Sequence, residues 1–214
     1  MGYRSILTYY DADAEADARL EAAIAVAREL EGHLTTVAFG YDPDVAAYPY
    51  AYGAMTGIEE LYARAAETGR ERAATADARL QKAGILGDVV TEVCTYGAMA
   101  MTFGQRARFA DLVVLGRVYG EGADQTAASA LEGALFDGDS AVLACPSGTS
   151  GLNLGTVIVA WNESREALRA IRRALPLLST AGEVEILMID EPSGDADPGQ
   201  PLATMLAMAR IASR

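Results

Sequence analysis

Short apolar runs alternate along the chain with longer stretches in which apolar positions recur every three or four residues. That alternation predicts a parallel sheet joined by crossover helices. Ser5 to Tyr10 reads as a first strand. Residues 14–31 follow as a helix, with Leu20, Ala23, Ile24, Ala27 and Leu30 on one face and Gly32 ending it. Leu34 to Phe39 reads as a second strand, and residues 41–56 as a loop bearing tyrosines and prolines. A long helix is predicted over 57–83, stopping at Gly84, with a third strand at Val89 to Cys94 and a short helix over 98–109. Asp111 to Gly116 is apolar nearly throughout, as a strand buried on both faces should be. A glycine-rich loop, a helix near 126–136 and a fifth strand at Ala141 to Cys145 complete the unit.

Past a linker at 147–154 the pattern restarts. Val157 to Asn162 lies 151 positions after Ile6 to Asp11, and the same offset pairs Leu20, Ala23, Ile24 and Ala27 with Ile171, Ala174, Leu175 and Leu178. After a one-residue slip, Gly32 and the strand behind it match Gly182 and Val184 to Ile189. This reads as an internal repeat. The expected organisation is a domain over 1–146, the linker, and a partial second copy over 155–214 with a last helix near 201–212 and no counterpart of strands three to five.

Charge narrows the partners. Thirty acidic residues against seventeen basic ones give a formal net charge of −13, which repels phosphate backbones and anionic lipid, so neither nucleic acid nor a membrane is expected. No run reaches the ~18 apolar residues of a spanning helix. The first residues enter a strand pattern without signal-peptide architecture, so a cytoplasmic protein is expected. Cys94 and Cys145 each sit in an apolar run and read as reduced core thiols. His33, the single histidine, reads as a surface residue at the start of a strand, and no metal site is expected.

A strand ending in Asp11, a helix, a second strand, a long loop and helix, then Ala110-Asp111-Leu112-Val113-Val114-Leu115-Gly116 resembles the universal stress protein family. Trp161 to Ala167 resembles the opening of the second domain in tandem members. The resemblance covers 3–146 and 155–192. It implies an α/β fold, a doubly wound, Rossmann-like five-stranded parallel sheet of order 3-2-1-4-5. In such a sheet the crevice lies outside the carboxyl ends of strands one and four, where Asp11 and Gly116 fall. In nucleotide-binding members the aspartate contacts the nucleoside, and a Gly-x2-Gly-x9-Gly-Ser/Thr stretch holds phosphates. The implied ligand residues are therefore Asp11, Gly116, Arg117, Gly120 and Gly122. The stretch departs from that pattern: three residues separate Gly116 from Gly120, twelve separate Gly120 from Gly133, and Ala134 stands where the hydroxyl belongs. Asp11, Asp13, Glu15 and Asp17 crowd the first helix, and Glu121 and Asp124 lie in the loop. Against such charge a triphosphate is opposed by ~1 kcal/mol per like pair at 4 Å in water and several times that near a protein surface.

Each feature also has a plainer reading. Asp11 is equally a helix cap, the glycines are equally turn formers, and the acidic first turn is a solvated face that favours the helix dipole. Tyr41, Tyr48, Tyr50 and Tyr52 form either a lid over the sheet ends or a stacking platform. Strand five, Ala141, Val142, Leu143, Ala144 and Cys145, is an apolar edge, and the family pairs it across a dimer or across the halves of a tandem chain; with no fifth strand read in the second copy, a homodimer is expected. No nucleophile elbow, Walker loop or Cys/His pair is present. The expected function is a non-catalytic stress-response protein working through dimerisation and binding of a protein partner or small molecule, with no cofactor required. ATP binding as a switch with slow hydrolysis is the alternative.

Overall fold

A computed structural model describes residues 2–11, 15–42, 55–120, 125–189 and 198–214. The strands and helices run in chain order as β1 (Ser5–Tyr10), α1 (Ala16–Leu30), β2 (His33–Tyr41), α2 (Met55–Ala83), β3 (Gly87–Cys94), α3 (Met99–Ala107), β4 (Leu112–Leu115), α4 (Gln125–Glu132), β5 (Ala141–Ala144), β6 (Thr156–Ala160), α5 (Arg165–Leu178), β7 (Glu183–Leu187) and α6 (Gln200–Met208). They divide into two compact units, Tyr3–Leu152 and Asn153–Arg214 with the first two residues.

In the first unit β1 to β5 form one parallel sheet of order β3-β2-β1-β4-β5. The order follows from handedness: right-handed crossovers that step from β1 to β2 to β3 leave α1 and α2 on one face. The steps to β4 and β5 run the other way and leave α3 and α4 on the opposite face. There Leu7, Tyr9, Val37, Phe39, Val113 and Leu115 of the strands bury Met99 and Phe103 of α3 and Ala130 of α4.

Glycines set how closely α2 approaches. A Cβ on Gly40 would fall 1.9 Å from the Ala65 carbonyl oxygen, and one on Gly69 would fall 2.7 Å from the Thr91 methyl. The end of α1 differs from the sequence expectation. Glu31, at φ 51°, takes the left-handed position and donates back to Ala27 and Arg28. Gly32 is needed for space, since a Cβ there would meet Ile6 Cδ1 at 2.7 Å. α4 runs on directly into a π-helical turn over Gly133–Asp137, in which the Gly138 N–H donates to the Gly133 carbonyl, so the helical stretch covers the expected 126–136. Asp111 stitches the amino ends of two strands, its Oδ2 accepting the N–H groups of Arg4 and Ser5 at 2.8 and 2.9 Å.

Much of the expected linker is held on the first unit. Ser147 Oγ donates to Glu15, and the Leu152 N–H donates to Glu29 Oε2 at 2.5 Å.

In the second unit β6 and β7 pair in parallel, and α5 and α6 cover one face with Ile171, Leu178, Leu202 and Leu206 against Val159 and Val184. Ser164 Oγ caps α5 by accepting the Ala167 N–H at 3.1 Å. The register repeats that of the first unit: Thr156 faces Glu183 as Ser5 faces His33, shifts of 151 and 150. The chain then goes further than the sequence reading allowed. Ser213 pairs in parallel with Val184, as Gly87 pairs with Leu34, so the last residues stand in the third-strand position.

Candidate functional site

β1 and β4 are neighbours, and from them the strand order runs outward in both directions, so the crevice opens where these two strands end. Asp11 follows β1 directly and Gly116 follows β4, as the sequence implied. A third residue stands between them. Arg19 lies one turn into α1 on the same stripe as Ala16, Leu20 and Ala23, and it is only 2% exposed. Its Nη2 donates to Asp11 Oδ1 at 3.0 Å and its Nε to the Tyr9 carbonyl at 3.0 Å. The guanidinium carbon lies 3.6 Å from the Tyr9 ring centroid, and the aliphatic stem passes beside Gly116, where a Cβ would sit 3.6 Å from Arg19 Cβ. The other carboxylate oxygen of Asp11 accepts the Tyr41 hydroxyl at 3.0 Å.

Asp11 is thus neither a helix cap nor an exposed acceptor. α1 begins after Glu15 with no side-chain cap, and the Asp11 side chain is 1% exposed. A charge lodged in an otherwise apolar stripe was the signal for Arg19 in the sequence, and the apolar face drawn through Leu20, Ala23 and Ala27 passed over it. Burial, and then the negative charge of Asp11, push the Tyr41 hydroxyl far above its ordinary value. It keeps its proton and acts as a fixed donor, which suits a structural clasp and not proton transfer near neutral pH.

The acidic first turn is solvated, with the Asp17 side chain 60% exposed, and it is also engaged in contacts. Asp17 accepts the Tyr10 hydroxyl at 2.7 Å and pairs with Arg79 at 2.7 Å, and Arg79 also reaches Glu21 at 3.2 Å. Asp13 lies outside the described residues.

Behind Asp11 the rings form a column. Phe39 stacks on Tyr41 at 5.8 Å and 6°, and Tyr41 on Tyr96 at 4.2 Å and 18°. Tyr9 meets Phe39 and Phe103 edge-on. Tyr96, unremarked in the sequence, is the exposed end of the column. Tyr48, Tyr50 and Tyr52 lie outside the described residues. Cys94 is half-buried, and burial pushes its thiol up to about 11 despite a bond with Thr102 that pulls the other way. Cys145 is buried and unbridged, and burial raises it too. His33 is exposed at the start of β2, 3.4 Å from Asp88.

The glycine stretch splits. Gly120, at φ 101°, is where the turn needs glycine, Arg117 is exposed, and Gly122 lies outside the described residues. Gly133 and Ala134 sit at the far end of α4, pressed on α3: a Cβ on Gly133 would fall 2.1 Å from the Ala100 carbonyl oxygen. Counting residues from Gly120 therefore picks a helix-packing glycine, and the hydroxyl in the first turn of α4 is Thr126, which is buried. β5 (Ala141, Val142, Leu143, Ala144) pairs with β4 and has no other strand partner among the described residues, and the Cys145 N–H donates to the Leu115 carbonyl.

No family model matches the chain, and no curated protein does. Solved structures do. A universal stress protein from Archaeoglobus fulgidus DSM 4304 superposes with a TM-score of 0.61 over 97% of this chain and 74% of its own, at 16% identity. The fold is that of the universal stress proteins. Universal stress protein UspA from Lactobacillus plantarum matches 68% of this chain and 99% of its own at 17% identity, with a TM-score of 0.45. The hypothetical protein MJ0577 matches 68% of this chain and 97% of its own at 15% identity, with a TM-score of 0.47. Among the described residues no helix is long and apolar enough to cross a membrane.

Proposed function

We propose that this is a non-catalytic stress-response protein of the universal-stress type, built as a tandem with a partial second copy, that works by dimerising and by binding a protein partner or small molecule without gripping ATP. The observation that carries it is the clasp on Asp11. Both carboxylate oxygens of the residue that would meet a nucleoside are already bonded, one to Arg19 and one to Tyr41. With the Asp11 side chain 1% exposed between these partners, a nucleoside would reach it by displacing one of them, and displacing Arg19 would leave a buried charge without its partner, a loss of about 3–5 kcal/mol that erases two to four orders of magnitude of affinity.

The dimer rests on β5. Its outer edge has no strand partner among the described residues, and the turn before it holds Phe136 80% exposed. An apolar edge flanked by a bare aromatic ring favours pairing with a second copy. Titration calorimetry with ATP and Mg²⁺ tests the ligand claim: no heat at millimolar nucleotide is expected, and micromolar binding would overturn it.

A further inference from the structure

By composition the stretch after β5, Pro-Ser-Gly-Thr-Ser-Gly, is a flexible tether. Its hydrogen bonds say otherwise. The chain leaves β5 through a turn in which the Thr149 N–H and hydroxyl both donate to the Pro146 carbonyl, at 3.1 and 2.6 Å, with Gly148 at φ 85°. Around that turn the chain is tied to α1 at two points. Ser147 Oγ donates to Glu15, which precedes the first turn of the helix, and the Leu152 N–H donates to Glu29, which lies in its last turn. The backbone of Gly151 lies against the same carboxylate, whose oxygens are 3.4 and 3.7 Å from where a Cβ would stand.

The second unit takes hold of the chain almost at once. The Leu154 and Gly155 carbonyls accept the N–H groups of Gly182 and Glu183, both at 2.8 Å. Asn153 alone stands between the last residue tied to the first unit and the first tied to the second, and its Oδ1 accepts the Gly155 N–H at 3.1 Å. The fold itself does not call for Glu29. A carboxylate in the last turn of a helix opposes the helix dipole. In the second copy, whose register is shifted by 150 or 151 positions, Ser179 and Thr180 stand in its place.

We propose that residues 147–152 are a releasable strap. Fastened to α1 by Glu15 and Glu29, the strap shortens the linker to a joint at Asn153; unfastened, it gives the second unit a long flexible tether. In the fastened state the two steps from Leu152 to Leu154 reach at most ~7 Å. In the released state the tether starts at Cys145, which the Leu115 carbonyl holds to β4, and its nine steps to Leu154 span roughly 15–18 Å r.m.s. for a chain rich in glycine and serine. Each tie is one exposed hydrogen bond to a carboxylate, so the strap opens without unfolding either unit. Because both anchors are carboxylates, negative charge brought onto the strap drives it off the helix. The strap stands independently of what the crevice binds and of the dimer through β5.

Hydrogen exchange and small-angle scattering on the full chain test it. In the wild type the Leu152 amide should exchange at least about ten times more slowly than in an unstructured chain. Glu29→Ala keeps a strong helix former in α1 and should remove that protection, while the amides of β1 and β6 exchange as before. Glu15→Ala added to Glu29→Ala should lengthen the maximum dimension by roughly 10 Å at unchanged mass. Ser147→Asp, which sets a second carboxylate against Glu15, should shift the scattering in the same direction, and Ser147→Lys should leave it as in the wild type. A Leu152 amide unprotected in the wild type, or protection that survives Glu29→Ala, overturns the strap. Scattering unchanged in both the double variant and Ser147→Asp overturns the lengthening, and the proposal falls with it.

Discussion

Arg19→Met is the sharpest test of the crevice. Methionine keeps the aliphatic bulk of the stem but removes the guanidinium, and with it the bonds to Asp11 Oδ1 and the Tyr9 carbonyl and the contact with the Tyr9 ring. Asp11 would then keep its Tyr41 bond yet lose its counter-charge at a position 1% exposed. Breaking a buried pair by removing one partner costs about 3–5 kcal/mol, and each kilocalorie shifts the melting point of a unit of this size by roughly 2–4 °C. A fall of roughly 6–20 °C is therefore expected. Near-UV circular dichroism of the tyrosines in the first unit follows the transition, with urea titration giving the free energy. Asp11→Asn added to Arg19→Met removes the stranded charge and should recover stability relative to the single variant. A loss under ~1 kcal/mol for Arg19→Met, or no recovery in the double variant, would show that the guanidinium is not the counter-charge that holds Asp11, and the case for a closed crevice would go with it.

Tyr41→Phe should cost about 1.5–3 kcal/mol in urea titration, the usual worth of a hydrogen bond to a charged group, while leaving the ring column in place. Gly40→Ala should destabilise by at least 1–3 kcal/mol, because a methyl 1.9 Å from the Ala65 oxygen forces α2 off the sheet, and thermal melting will show it. The Cys94 thiol is raised from 9.0 to about 11, so its neutral form is favoured in the folded state. That contribution to stability is whole below pH 9 and lost as pH rises from 9 to about 11, and Cys94→Ser should flatten this part of the pH–stability curve. At pH 8 a disulfide reagent should label Cys94 at least ten times more slowly in native protein than in urea.

The strands were legible because each is an apolar, sharply ended run, while their order came from the family resemblance and not from the pattern. β4 is four apolar residues between Asp111 and Gly116, and no helix competes with such a run. The identity of the two rim residues was legible for the same reason, since strand ends fix Asp11 and Gly116 regardless of what fills the space between them. What fills it was not legible. Arg19 contacts residues eight and ten positions away, through a bend of chain whose path cannot be read from periodicity. The phosphate stretch failed differently. A count of residues between glycines assumes a helix start, and here the counted glycine lies past a helix end, in a π-helical turn that no composition signal marks. The third-strand position of Ser213 was missed because one bridged residue is too short to show a period.

The stitch made by Asp111 bears on how such chains are recognised. Its carboxylate gathers two amides at the end of the sheet remote from the crevice, so this residue of the diagnostic stretch reports masonry and says nothing of cargo. A chain of this fold can keep that aspartate whatever its crevice holds.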